Sequence, residues 1–166
     1  MATRARARRF WLLKSEPADF SFEDLAGAPS GRAGWDGVRN HQARNFLRDD
    51  VRVGDLALFY HSGVQPPGVA GIARVVRAAY PDPTQFDARN EHFDPRSRPG
   101  SPTWVQVDLE AVRPFPRFVP IDLMRRQAAL RGMLLLRPGQ RLSVQPVTPA
   151  EWRAVLRLGG LDPRAV

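Results

Sequence analysis

Apolar residues in this 166-residue chain come in short runs, and proline or glycine interrupts nearly all of them. Phe10–Lys14 (FWLLK) is closed by Ser15, Glu16 and Pro17. Asp55–Tyr60 (DLALFY) runs into a loop, Ser62–Gly68, that holds two prolines and two glycines. Proline has no N–H to give to a sheet ladder, so runs of this length between such stops read as short strands. Val69–Ala79 (VAGIARVVRAA) and Arg141–Val147 (RLSVQPV) are of the same kind. In Val105–Ala111 the apolar positions Val105, Val107, Leu109 and Ala111 alternate with Gln106, Asp108 and Glu110, the period-two pattern of a half-buried strand.

Helix signals lie between these runs. Ser21 is followed three residues later by Asp24, which predicts one or two capped turns before Gly27. Ala43, Phe46 and Leu47 share a stripe of a helix over Arg39–Asp49, with Asn40 as its cap, and Pro120–Leu130 allows another. Thr148-Pro149-Ala150-Glu151 is a complete helix start, and Trp152, Val155 and Leu156 form its buried stripe until Gly159 and Gly160 stop it. The stretch from Gly27 to Trp35 reads as a loop. Tyr80–Thr103, with five prolines, reads as an irregular excursion that is either functional or mobile. Short strands with a few helices around them predict an α+β domain built on a small mixed barrel.

The length fits one domain, expected over residues 10–160, with a basic flexible tail at 1–9 and a short C-terminal tail at 161–166. With no cysteine, disulfides and thiolate zinc sites are impossible. No apolar run approaches the roughly 18 residues that span a bilayer, and the basic start lacks the apolar stretch of a secretory signal. The expectation is therefore a cytoplasmic protein without a membrane partner, monomeric because no apolar face is left over. A net charge of +8 favours a polyanionic partner. Thr3–Arg9 (TRARARR) reads either as a solvated tail or as a phosphate-contacting arm.

Catalytic signals are poor. His61 and Ser62 are adjacent on a strand, so their side chains point to opposite faces, a bad start for proton abstraction. His92 with Asp87, Glu91 or Asp94 is explained by a solvated loop, since Arg89, Arg96 and Arg98 lie among them, so no metal site is expected. Neither a GxxxxGK[ST] nor a GxGxxG loop occurs, and no cofactor is expected.

Five stretches, in order, resemble the EVE domain of the PUA-like superfamily, the module of the thymocyte nuclear protein 1 family. They are WLLKSEP (Trp11–Pro17), WDGVRNHQARN (Trp35–Asn45), GDLALFYHS (Gly54–Ser62), AYPDPTQFD (Ala79–Asp87) and RLSVQPVT (Arg141–Thr148). The resemblance implies a PUA-like mixed β-barrel with peripheral helices, and a non-catalytic module that reads a chemically modified base, flipped out of DNA or RNA, in a cleft on the barrel. It places the cleft where Lys14-Ser15-Glu16, Trp35–Asn40, Tyr60-His61-Ser62 and Ser143–Gln145 converge.

A flipped base needs flat walls and a few fixed polar groups at its edge. Trp35 and Tyr60 are the candidate walls; a stacking aromatic contributes roughly 1–3 kcal/mol against the few kcal/mol that unstacking costs. Ser15, Asn40, Ser62 and Gln145 are the candidate edge readers. Glu16, Val38, His61 and Ser143 complete the expected pocket, and Lys14, Arg39 and Arg44 are the expected phosphate contacts. Duller roles stand beside these: Trp35 can plug the barrel end, Asn40 can be only a cap, and Arg39 and Arg44 can be solvated helix charges. Two other functions remain open, a general PUA-type RNA-binding module without preference for modification and a nucleic-acid hydrolase or modifying enzyme.

Overall fold

The computed structural model describes residues 5–166. Six strands form one mixed sheet: β1 (Phe10–Ser15), β2 (Arg32–Trp35), β3 (Leu56–His61), β4 (Gly68–Pro81), β5 (Val105–Pro120) and β6 (Val144–Val147), in the order β2-β5-β4-β3-β1-β6. β1 runs parallel to β3, and every other pair is antiparallel. Four helices pack around it: α1 (Phe22–Ala26), α2 (His41–Asn45), α3 (Ile121–Arg125) and α4 (Pro149–Leu158). The fold is α+β and PUA-like, as the resemblance implies, but the sheet is not closed into a barrel. β2 and β6, four residues each, form its two edges.

The two-residue period of the strands sorts side chains into two cores. Trp11 and Leu13 of β1 join Ala57 and Phe59 of β3, and Phe22, Leu25, Val38, Ala43 and Leu47 cover them. Leu12 of β1 faces the other way with Leu56, Leu58 and Tyr60, under Met124, Trp152, Val155 and Leu156. Runs such as FWLLK and LALFY are therefore continuous rather than alternating because both of their faces are buried. β5 is long enough to serve both cores: Val107 and Leu109 lie in the first, Phe115 and Val119 in the second, with register shifts between that bend it against β4.

Local signals set the helix starts. Ser21 and Asp24 form a reciprocal capping box on α1, and Thr148 and Glu151 form one on α4. Asn40 caps α2, which ends at Asn45 and continues as a π-helical turn over Phe46–Asp50. The expected helix over Pro120–Leu130 is shorter: α3 stops at Arg125, and a separate 3-10 turn covers Ala128–Leu130. β2 lies in the segment read as a loop. Four residues with a glycine carry no strand pattern of their own, and the register Trp35↔Val107 on β5 makes the strand.

The basic segment before β1 is not wholly a free tail. Asp55, 1 % exposed, accepts hydrogen bonds from the Arg6 guanidinium (3.0 and 3.2 Å), the backbone N–H groups of Arg9 and Arg52 (3.0 Å each) and the Trp11 indole (3.0 Å). Thr3 and Arg4, also expected in that tail, lie outside the described residues. Burial pushes the Asp55 carboxyl upward, but these five donors outweigh it and hold the pKa below the usual aspartate value of 3.8. Because the folded pKa is depressed, the stabilisation is present above pH 3.8 and is lost as pH falls below it. Asp55→Ala leaves buried donors without an acceptor; we expect a loss of about 3 kcal/mol or more at neutral pH, read by urea unfolding.

Candidate functional site

β1 and β3 run parallel, so their C-terminal ends emerge side by side, with Ser15 opposite His61 and the Ser62 N–H donating to the Ser15 carbonyl at 2.9 Å. Next to them the end of β2 delivers Trp35, and the residues before β6 deliver Arg141 and Ser143. These ends surround a cavity of about 600 Å³ lined by Ser15, Glu16, Phe20, Trp35, Asp36 and His92, among others. Trp35 is nearly buried and meets the Phe59 and Phe20 rings edge to face, at centroid distances of 5.2 and 6.4 Å. Phe20 is the more exposed of the two cavity aromatics.

Asp82 fixes the opposite wall. Fully buried, it accepts from the Gly37 N–H (2.9 Å), the Arg39 guanidinium (3.0 Å), and the Thr84 N–H (2.8 Å) and hydroxyl (2.6 Å). Arg39 continues to the His92 carbonyl with two nitrogens, at 3.0 and 2.8 Å, and so ties the strand-end segment to the long excursion. That excursion is tied into the fold: buried Gln85 bonds Asp82 O, Trp104 O, Trp104 N–H and the Ser97 hydroxyl. Gly37 has φ +78°, and a Cβ placed there would lie 2.6 Å from His92 Nε2, so the chain turns tightly beneath that imidazole.

Four carboxylates line the cavity: Glu16, Asp19, Asp36 and Glu91. Desolvation at the cavity raises the Asp36 pKa, and the Asp82 charge raises it further. Burial pushes Asp82 itself upward, but its hydrogen bonds from Thr84, Gly37 and Arg39 lower it overall. Lys14 lies on the rim, where burial lowers its pKa. The acceptor-rich lining suits a ligand edge that carries N–H donors.

Of the residues expected in the pocket, the structure brings Ser15, Glu16, Trp35, Val38, Ser62 and Ser143 together. Four others go elsewhere. Tyr60 projects from the opposite face of β3 to Phe59, into the second core, and lines a separate cavity. Gln145 pairs with Leu12, shares that face, and spends its amide on the Leu142 carbonyl at 2.9 Å. Asn40 turns its oxygen to the Ala43 N–H, and His61 Nε2 accepts the Phe22 N–H at 3.1 Å. Burial lowers the His61 pKa, which suits that neutral acceptor. Arg39 and Arg44, expected at phosphates, are engaged within the fold: Arg39 as above, Arg44 with Asn45 Oδ1 and the Thr103 carbonyl, and both lie over the Trp104 ring. Phe20, Asp36, Asn90 and Arg141 line the cavity without having been named for it, although Asp36 and Arg141 sit inside stretches that carry the resemblance, and Glu91 and His92, weighed only as metal ligands, line it too.

Residues 9–158 match the EVE domain family. The chain belongs to the EVE domain family. It is 44% identical to human thymocyte nuclear protein 1 over 170 residues, an alignment covering 92% of this chain and 75% of the human protein. Two solved structures superpose closely on this EVE domain. One is a Pseudomonas putida protein (TM-score 0.86, 47% identity, 90% of this chain and 99% of the other). The second is the human THYN1 protein in complex with 5-methylcytosine-containing DNA (TM-score 0.87, 43% identity, 93% and 99%). The human relative is named a nuclear protein, which overturns the expectation of a cytoplasmic one. Among the described residues no helix is long and apolar enough to cross a membrane, and no cluster of three or more His, Asp or Glu side chains is arranged to hold a metal ion.

Arg39→Ala would strand the buried Asp82 charge and free the His92 segment. We expect about 3 kcal/mol of lost stability in chemical unfolding, and only partial recovery with Arg39→Lys, because an ammonium cannot reproduce the guanidinium fork.

Proposed function

We propose that this EVE domain is a non-catalytic reader of a flipped, modified cytosine-type base in nucleic acid, with the base seated in the cavity between the ends of β1, β2 and β3. The observation that carries this reading is the cavity itself: aromatic Trp35 and Phe20 beside hydroxyls and carboxylates, at the strand ends of a chain whose human relative was solved with 5-methylcytosine-containing DNA. Cytosine presents an exocyclic amine on its pairing edge, and Glu16 and Asp36 can accept from it, whereas thymine or uracil would set a carbonyl oxygen against a carboxylate. Phe20 and Trp35 supply apolar surface for the base and for an added methyl, whose burial contributes around 0.8 kcal/mol. Selectivity for the methyl is therefore modest.

The reader is proposed to act as a monomer through the unit 10–160. Among the described residues the large exposed apolar side chains, Val53, Val64, Phe93 and Phe118, are few. Among the described residues none of the cavity serines, Ser15, Ser62 and Ser143, hydrogen-bonds a histidine or carboxylate side chain, and the neighbouring His61 ring nitrogen is committed to a backbone N–H.

Fluorescence anisotropy with short DNA and RNA probes carrying plain or 5-methylated cytosine tests the reading. A several-fold preference for the modified base is expected, reduced by Phe20→Ala and by Asp36→Asn and retained in Tyr60→Phe, whose ring belongs to the other face. Equal, salt-sensitive binding of every probe would make the domain a general nucleic-acid binder instead, and turnover of any probe would make it an enzyme.

A further inference from the structure

A second cavity, of about 460 Å³, adjoins the first and shares Lys14 and Arg141 with it. Its other walls are Tyr60, Ile121 and Arg125, and the turn Leu135–Gln140 with Arg137. The two cavities have opposite chemistry. The first holds four carboxylates, while the second is lined by Lys14, Arg125, Arg137 and Arg141 and by no acidic side chain.

Resting on the base-reading proposal, we infer that this second cavity is the seat for backbone phosphates of the strand whose base enters the first. A phosphate cannot sit among Glu16, Asp19, Asp36 and Glu91 without like-charge repulsion, so a strand that inserts a base there must run its backbone over a neighbouring surface of opposite sign. Among the described residues the groups common to both cavities, Lys14 and Arg141, are cationic. The arginines are also available. Arg125, Arg137 and Arg141 are exposed, and Arg125 has a solvent-facing pair with Asp122, an arrangement that costs little to exchange for a phosphate. Among the described residues Arg137 and Arg141 make no ion pair. Arg39 and Arg44 are the contrast, since their guanidinium donors already bond carboxylate, amide and carbonyl oxygens. Lys14, half-buried and without a carboxylate partner among the described residues, has its ammonium disfavoured by desolvation, a cost that an arriving anion would offset. Guanidinium forks suit phosphate oxygens bidentately.

Phosphate contacts set affinity and position without reading the base, so losing them should act on every probe alike. The test is Arg125→Gln/Arg137→Gln in the full chain, two residues that line only the second cavity. Affinity for plain and methylated single-stranded probes is measured by anisotropy between low and physiological salt. We expect binding about tenfold weaker for both probes, an unchanged ratio between them, and a log–log salt dependence shallower by about 1 to 2. Arg137→Glu should weaken binding further, and Arg153→Gln, on the exposed face of α4, should change nothing. Wild-type affinity and salt slope in the double variant and in Arg137→Glu would overturn the phosphate seat while leaving base reading intact. A reduced slope in a protein whose wild type shows no preference for the methylated base would uphold the seat and remove the base reading. Failure of the wild type to bind any probe would overturn both.

Discussion

The buried Asp82 carboxylate is the constraint on which the candidate site depends. An unpaired charge at that depth is too costly to tolerate, so the chain must bring donors to it, and those donors come from two separate stretches, Gly37 and Arg39 after β2 and Thr84 beyond β4, while Arg39 also donates to the carbonyl of His92. Satisfying one carboxylate thereby locks the strand-end segment to the 80–103 excursion. The cavity is what remains between them and the ends of β1 and β3. Rigidity there has a functional sense, because a pocket already shaped for a flat ligand loses less conformational freedom when it fills.

Asp55 does the same work at the other end of the sheet. It gathers Arg6, Arg9, Trp11 and Arg52, so that the segment leading into β1 is held where β1 meets β3. The parallel pairing of these two strands is what puts Ser15 and Ser62 side by side; in an antiparallel pair the two C-terminal ends would lie at opposite ends of the strands.

Strand alternation then divides the chemistry. On β3, Phe59 and Tyr60 are neighbours in sequence, yet Phe59 packs behind Trp35 and Tyr60 opens onto the basic cavity. On β1, Leu13 and Lys14 part in the same way, and Lys14 lies where the two cavities meet. An acidic, aromatic recess and a cationic one side by side are the electrostatic complement of a nucleotide, whose base edge offers N–H donors and whose backbone is anionic.

Much of this was legible in the chain itself. Capping boxes at Ser21 and Thr148, the alternation from Val105 to Ala111, and runs closed by proline or glycine are local matters decided within a few residues, and they fixed most strands and helix starts. The five ordered stretches fixed the family and the segments that converge. What only the tertiary structure decided was which side chain of each segment faces the cavity. Tyr60, Gln145, Asn40 and His61 had suitable chemistry but were claimed by a strand face, a carbonyl, a helix cap and a backbone N–H, and Arg39 by a buried aspartate fully 43 residues away. Phe20 and the cationic group of Arg125, Arg137 and Arg141 escaped notice, and His92 was weighed only as a metal ligand, for the complementary reason. Their local patterns, where they have one, say strand or helix and nothing of a shared site, and only the packing of distant segments brings them to one place.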